Sequence, residues 1–243
     1  DENLQAQQRS AQRLEHQAWL RNGQTQLAQQ VLGQLTLPML GDNILRFFAS
    51  YLGSVVGAVY VRDEHGRLVR VACYGLGAEE QAREQIRLDH DGLLAQAVRE
   101  GRLLRLDDLP EDFYRLSSGL GSGLPRSALL MPATEDGQIN GVIELGFLRP
   151  LQERDEELLE RVGGNLGMSI ESARYRQRLQ EVLPLVDWVG FDIKAPFADY
   201  RHVTRVAGSG DPARACLDAI LASGVAYECR ATTHPDLLPA AQL

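Results

Sequence analysis

Apolar positions in the middle of the chain fall into short strand-like runs, and those on either side recur at helical spacing. Ala128, Leu129, Leu130 and Met131 form one run within residues 127–134, and Ile139, Val142, Ile143 and Leu145 mark a second within 138–146. Glu135-Asp136-Gly137 lies between them and suits a hairpin turn. A lone hairpin cannot bury both faces, so this one calls for neighbouring strands and a covering helix.

Residues 1–34 carry good helix formers and no proline, which predicts one long helix. Leu4, Ala11, Leu14, Ala18, Ala28, Leu32 and Leu35 fall near a seven-residue repeat that Arg21 and Thr25 interrupt and Gly23 weakens. An imperfect coiled coil of this kind draws its stability from a second copy or from docking on the next domain. Leu37-Pro38-Met39 reads as a break, after which Asp42 caps a helix carrying Ile44, Leu45, Phe47, Phe48, Tyr51 and Leu52 and ending at Gly53. Residues 55–62 and 67–74 read as paired strands around the turn Asp63-Glu64-His65-Gly66, with His65 solvated. Residues 75–87 read as loop and short helix, and Leu93, Leu94, Ala97 and Val98 as the apolar face of a helix closed by Gly101. A short strand at 103–106 leads into a long connection, 107–125. Leu158, Leu159, Val162, Leu166, Ile170, Ala173 and Leu179 mark a second long helix over 152–180.

At 243 residues and 44% apolar composition the chain is long enough for one large domain or two small ones. A formal charge of −8 argues against nucleic acid or an anionic membrane surface as partner. No run approaches the roughly 20 apolar residues of a bilayer span, and the start does not resemble a signal peptide, so a cytoplasmic location is expected. The first residue is Asp1, which suits an excerpt of a longer protein. Cys73, Cys216 and Cys229 are odd in number and widely spaced, and read as free thiols without a disulfide framework or metal site.

Candidate chemistry gathers on the long connection and the hairpin. Long ordered loops on a strand scaffold form binding surfaces. Tyr114, Arg115, Ser117 and Ser118 supply donors and acceptors there, beside an apolar sheet. Glu144, inside an apolar strand, either points to solvent or offers its carboxylate to a pocket between sheet and loop. Gly119-Leu120-Gly121-Ser122-Gly123 has a superficial likeness to a phosphate loop, but Leu124-Pro125 leads onward into a strand and no Gly-Lys-Ser/Thr follows.

The order of elements resembles a GAF domain, the small-molecule-sensing module of signalling proteins. The likeness is carried by Val55-Val56-Gly57-Ala58-Val59-Tyr60-Val61, by the segment from Asp91-Gly92-Leu93-Leu94 to Glu100-Gly101, by Pro132, and by Gly141-Val142-Ile143-Glu144-Leu145-Gly146. Tyr114-Arg115-Leu116-Ser117-Ser118-Gly119-Leu120-Gly121 is similar to the subgroup found in bacterial sensor histidine kinases of two-component systems. The resemblance implies an α+β fold, an antiparallel sheet flanked by helices with long entry and exit helices, working as a homodimer on an unidentified small molecule. The cyclic-nucleotide signature of the family is absent, Cys73 is not convincingly placed for bilin attachment, and no kinase catalytic sequence is present. No cofactor and no catalytic residue are expected.

Beyond Glu181 the character changes. Residues 185–194 read as a strand broken by Pro196, 213–223 as a helix, 225–230 as a second strand, and His234-Pro235 as a final turn or helix, a βαβ-like unit. Asp192-Ile193-Lys194-Ala195-Pro196 and Tyr227-Glu228-Cys229-Arg230-Ala231-Thr232-Thr233-His234-Pro235 are similar to the C-terminal half of radical S-adenosylmethionine activating enzymes of the anaerobic ribonucleotide reductase type. That resemblance implies Asp192, Lys194 and Arg230 as positions near S-adenosylmethionine. The family's three-cysteine cluster motif is missing, so the segment reads as a partial, half-barrel-like α/β unit, catalytically inert, from fusion, truncation or a joined reading frame. The expected division is a signalling helix over 1–35, a GAF-like sensory domain over 36–181 with its exit helix at 152–181, and the partial unit over 182–243. The competing readings are a radical S-adenosylmethionine activase fragment and a dimerisation spacer that binds no ligand.

Overall fold

A computed structural model describes residues 2–33, 35–76, 85–86, 92–107, 109, 116–118, 121–205 and 209–231. The chain divides into two compact units, Asp1–Glu171 and Ser172–Leu243. The first unit is built around the hairpin. Strands β7 (Ser127–Glu135) and β8 (Gln138–Phe147) pair antiparallel through a two-residue loop. Asp136 and Gly137 both take positive φ there, 49° and 76°, the left-handed pair whose twist matches that of the flanking strands.

The other strands assemble around this hairpin. β1 (Val56–Arg62) pairs with β8, β2 (Leu68–Tyr74) with β1, and β4 (Leu104–Asp107) with β7, all antiparallel. The five strands read from the sequence therefore share one sheet. A two-residue strand β3 (Gln85–Ile86) extends its edge beyond β2, where the sequence suggested loop and short helix, giving the order β3-β2-β1-β8-β7-β4. The long connection is not wholly irregular either, since β5 (Leu116–Ser118) and β6 (Gly121–Gly123) form a small separate hairpin within it. Gly121 and Gly123 are thus strand residues rather than the lip of a helix.

Two irregularities in the ladders decide which side chains share a face. Register slips between Val59 and Tyr60, so Tyr60 lies opposite Arg70 and Val71 is left over, and it slips again between Ala133 and Thr134, leaving Asn140 over. An extra residue of this kind reverses the alternation beyond it.

Helix α1 (Glu2–Val31) and helix α2 (Leu37–Leu52) lie before the sheet, α3 (Leu93–Glu100) precedes β4, and α4 (Glu153–Val182) follows β8. The sequence reading placed the start of α2 at Asp42. Instead Thr36 caps it, its hydroxyl accepting from the Met39 amide at 3.4 Å, and Pro38 sits in the first turn, where its missing N–H costs nothing. Gly53 ends the helix in the left-handed region, as read. Leu40, Ile44, Leu45, Phe48 and Leu52 face inward along one stripe, and α2 packs on β1 and β2.

The seam proposed for α1 is not what it buries. Leu4, Leu14 and Leu32 are exposed, while Leu20 and Leu27 are buried, each worth about 1.5–3 kcal/mol of transfer free energy. Gly23 lies between those two leucines and permits the approach, since a Cβ there would stand 2.8 Å from Tyr51 Cε1 and 3.0 Å from Leu158 Cδ1. The Trp19 ring lies tilted against that of Tyr51, centroids 5.0 Å apart, and the Tyr51 hydroxyl donates to the Trp19 carbonyl at 2.6 Å.

Leu158, Leu159, Val162, Leu166 and Ile170 of α4 are buried, the face read from the sequence. Its Gly167 lies so close to β7 that a Cβ would stand 2.1 Å from the Thr134 carbonyl oxygen, and the leftover Asn140 donates to the Gly167 carbonyl at 2.9 Å. Arg149 fixes the start of the helix. It donates to Asp155 at 2.6 and 3.0 Å and to the Leu52 carbonyl at 2.8 Å, while the Gln152 amide donates to Asp155 at 2.8 Å. Asp155 is 1% exposed.

In the second unit β9 (Trp188–Ile193) and β10 (Ala226–Ala231) pair in parallel, with α5 (Tyr200–Thr204) and α6 (Gly210–Ser223) between them in sequence. The βαβ-like reading holds, with a short 3-10 turn at Phe197–Asp199 added. Leu183, Ala195, Tyr200 and Ile220 are buried there, whereas every residue of β10 is exposed. The segment around His234 lies outside the described residues.

Candidate functional site

The sheet has two unlike faces. One is covered by α2 and α4, through contacts such as Leu45 beside Gly57 and Met131 beside Gly163. The other carries Ala58, Tyr60, Leu68, Leu104, Leu130 and Val142, packed with Leu94 and Ala97 of α3. Glu144 belongs to this second face: it lies opposite Ala58 on β1 and Leu130 on β7. The strand is flanked on both sides and its alternation puts Glu144 on the face that α3 covers, so its carboxyl is partly withdrawn from solvent.

Glu144 is partly buried and has polar company. Tyr60 pairs with Val142, one step diagonal to Glu144, within reach of an aromatic side chain across the ladder. Its phenol hydrogen-bonds the carboxyl. Arg70, brought to the same face by the leftover Val71, hydrogen-bonds Tyr60 in turn. Cys73 packs beside this group, opposite Ala58. Burial raises the Glu144 carboxyl from 4.5 to about 7, against the opposing pull of the Tyr60 hydrogen bond and the Arg70 charge. Burial, and then the neighbouring carboxylate, push the Tyr60 phenol well above its ordinary value. Near neutrality Glu144 therefore either donates or accepts a proton in a hydrogen bond, while Tyr60 stays a neutral hydroxyl.

Arg70 and Tyr60 were missed from sequence, because strict alternation along β2 puts Arg70 on the opposite face. Tyr114 and Arg115 lie outside the described residues, as do the side chains of Ser117 and Ser118, which occupy β5. His65 is solvated, as read, its side chain 77% exposed beside Asp63.

In the second unit Asp192 and Arg230 are register partners across β9 and β10. Lys194 donates to Asp192 at 2.9 Å and holds that carboxyl below its ordinary range. Arg230 donates to Glu228 at 3.3 Å and lies over the Trp188 ring at 5.4 Å. The three predicted positions thus sit side by side, on surfaces about half exposed. Among the described residues there is no group of three or more His, Cys, Asp or Glu that could hold a metal ion, and no helix long and apolar enough to cross a membrane.

Residues 34–171 match the GAF domain family, over more than half of the chain. The chain belongs to the GAF domain family. GAF domains are a small-molecule-binding regulatory fold. Solved structures share the fold. The GAF domain of an Acinetobacter phosphoenolpyruvate-protein phosphotransferase is 19% identical with a TM-score of 0.54, covering 65% of this chain and 97% of that one. The GAF domain of a phosphoenolpyruvate-protein phosphotransferase from Coxiella burnetii is 20% identical with a TM-score of 0.55, over 65% and 96%. Free methionine-R-sulfoxide reductase from Neisseria meningitidis, solved in complex with its substrate, is 20% identical with a TM-score of 0.51, over 64% and 90%. No curated protein matches the chain.

Proposed function

We propose that this GAF domain is the input module of a bacterial signal-transduction protein, of the sensor histidine kinase kind, and that its ligand lies against the sheet face of Glu144, Tyr60 and Arg70. The single observation that carries this reading is a titratable carboxyl set among apolar side chains, held by a phenol that is held in turn by a guanidinium. A structural core has no need of such a group, and its desolvation is unfavourable. A ligand with an apolar body and an N–H donor offers the carboxylate the partner that burial withholds. Tyr114, Arg115, Ser117 and Ser118 are proposed to complete the contacts. The residues present perform no catalytic step, and a bound small molecule is released unchanged.

Output runs through paired helices. Leu4 and Leu14 on α1 and Met168 and Tyr175 on α4 are large apolar side chains left exposed, which supports a homodimer joined along these helices, and its proposed location is the cytoplasm. A ligand moves such a pair only by binding one arrangement better than the other.

A ligand-observed NMR screen of small amines and amides against wild type, Glu144→Gln, Tyr60→Phe and Tyr114→Ala/Ser118→Ala tests the site. Hits that weaken in all three variants support it, and hits indifferent to Glu144 and Tyr60 remove this face from consideration.

A second reading concerns the tail. Asp192 and Arg230 stand together on adjacent parallel strands, and ligands of parallel sheets gather at strand ends, which supports contact with S-adenosylmethionine. Titration of S-adenosylmethionine into wild type and Asp192→Asn/Arg230→Gln decides it, and no measurable affinity discards it.

A further inference from the structure

A groove of about 340 Å³ runs between α1 and the start of α4, lined by Arg9, Gln12, Arg13, His16 and Gln17 on one side and Glu157 and Arg161 on the other. Arg9, Arg13 and His16 recur at four and three residues, so they share one face of α1, and Glu157 and Arg161 are four apart on α4. The single carboxylate is already engaged. His16 Nε2 lies 2.6 Å from Glu157 Oε2, and Arg161 Nη2 donates to Glu157 Oε1 at 2.6 Å. These two partners, His16 first, hold the Glu157 carboxyl below its ordinary range. Three guanidiniums thus line one groove whose single carboxylate is already engaged by His16 and Arg161, in a chain whose formal charge is −8.

We infer that this groove is a binding site for a small multivalent oxyanion of the phosphate class, which bridges Arg9 and Arg13 of α1 to Arg161 of α4. Guanidiniums pair with such oxygens through parallel N–H donors, and the surplus positive charge is met without disturbing the His16–Glu157 contact. Because the anion is held by both helices, it fastens α1 to α4 at a point separate from the Glu144 face. The site therefore stands or falls independently of the function proposed above.

Calorimetric titration of the whole chain at low ionic strength, with inorganic pyrophosphate as one probe and citrate as the other, tests this. Pyrophosphate binding that weakens with added salt, and that drops by at least about tenfold in Arg9→Ala/Arg13→Ala, supports the site. Alanine favours helix at both exposed positions, so the variant keeps α1, which circular dichroism checks. Arg9→Lys/Arg13→Lys retains the charge but loses the fork, and an intermediate affinity is expected. Citrate binding as tight as pyrophosphate overturns the phosphate class in favour of a carboxylate ligand. No heat with either probe, or equal pyrophosphate affinity in wild type and the alanine variant, overturns the site. An alanine variant that instead falls from dimer to monomer, with pyrophosphate inert on wild type, assigns the groove to a second copy and overturns it too.

Discussion

Tyr60 and Glu144 stand on neighbouring strands one diagonal step apart, and the phenol keeps the carboxyl from rising as far as burial alone would drive it. Folding raises this carboxyl from 4.5 to about 7, so the folded state binds the proton more tightly than the unfolded one. Its contribution to stability is therefore fully present below about 4.5 and is lost as pH rises through about 7. The loss is at most on the order of 3 kcal/mol, before allowance for partial exposure. Urea denaturation across that window is expected to show wild type falling relative to Glu144→Gln. A difference that stays flat with pH would mean that the carboxyl is not desolvated.

Removing the phenol moves the same titration. Tyr60→Phe takes away a hydrogen bond that favours the ionised carboxyl, and Arg70→Met takes away a favourable charge. Both are expected to shift the Glu144 midpoint above about 7, read from the side-chain carboxyl carbon by NMR. An unmoved midpoint in Arg70→Met denies the role assigned to the irregular register of β2.

Arg149 and Asp155 form a bidentate ion pair at the head of α4, and Asp155 has almost no access to water. Arg149→Met leaves that carboxylate buried without its cation, at a cost of about 3–5 kcal/mol. Asp155→Asn keeps the bond to the Gln152 amide in reach and costs less. A loss below about 1 kcal/mol in Arg149→Met, by chemical denaturation, contradicts the assignment.

Two glycines of α4 give opposite expectations. Gly167→Ala drives a methyl into the Thr134 carbonyl, which can yield only by separating helix from hairpin, and is expected to destabilise by about 1–3 kcal/mol or more. Gly164 is exposed with nothing within 4 Å of a Cβ, and alanine there gains about 0.5–1 kcal/mol of helix propensity. Paired melting curves check both signs.

Self-association is checked at Leu14. The residue is 66% exposed, so Leu14→Glu leaves the fold of the first unit intact, and analytical ultracentrifugation is expected to show weakened dimers. Unchanged sedimentation removes α1 from the proposed pairing.

Much of the sheet was legible because Val, Ile and Leu runs bounded by Asp-Gly and His-Gly turns leave little choice of period or place. The apolar face of α4 was legible for the same reason. The start of α2 was misread because Pro38 looks like a terminator unless Thr36 is seen to cap the turn that contains it. Gly23 looked like a flaw in a coiled coil, but its use, closeness to Tyr51 and Leu158, depends on residues far away in sequence. Glu144 was picked out by its contrast with apolar neighbours. Tyr60 and Arg70 were not: Tyr60 meets Glu144 through the register of β1 on β8, and Arg70 joins them only through the slip of β2 on β1, neither of which has a local signature.

The second slip has a mechanical result. The residue that makes the hairpin irregular, Asn140, is also the one whose amide grips α4 at Gly167. Shear of the helix over the hairpin thus requires that bond to let go and find another carbonyl one turn away. That bond, with the close seat of Gly167 on Thr134, ties the position of the helix along its axis to the bulge in the hairpin.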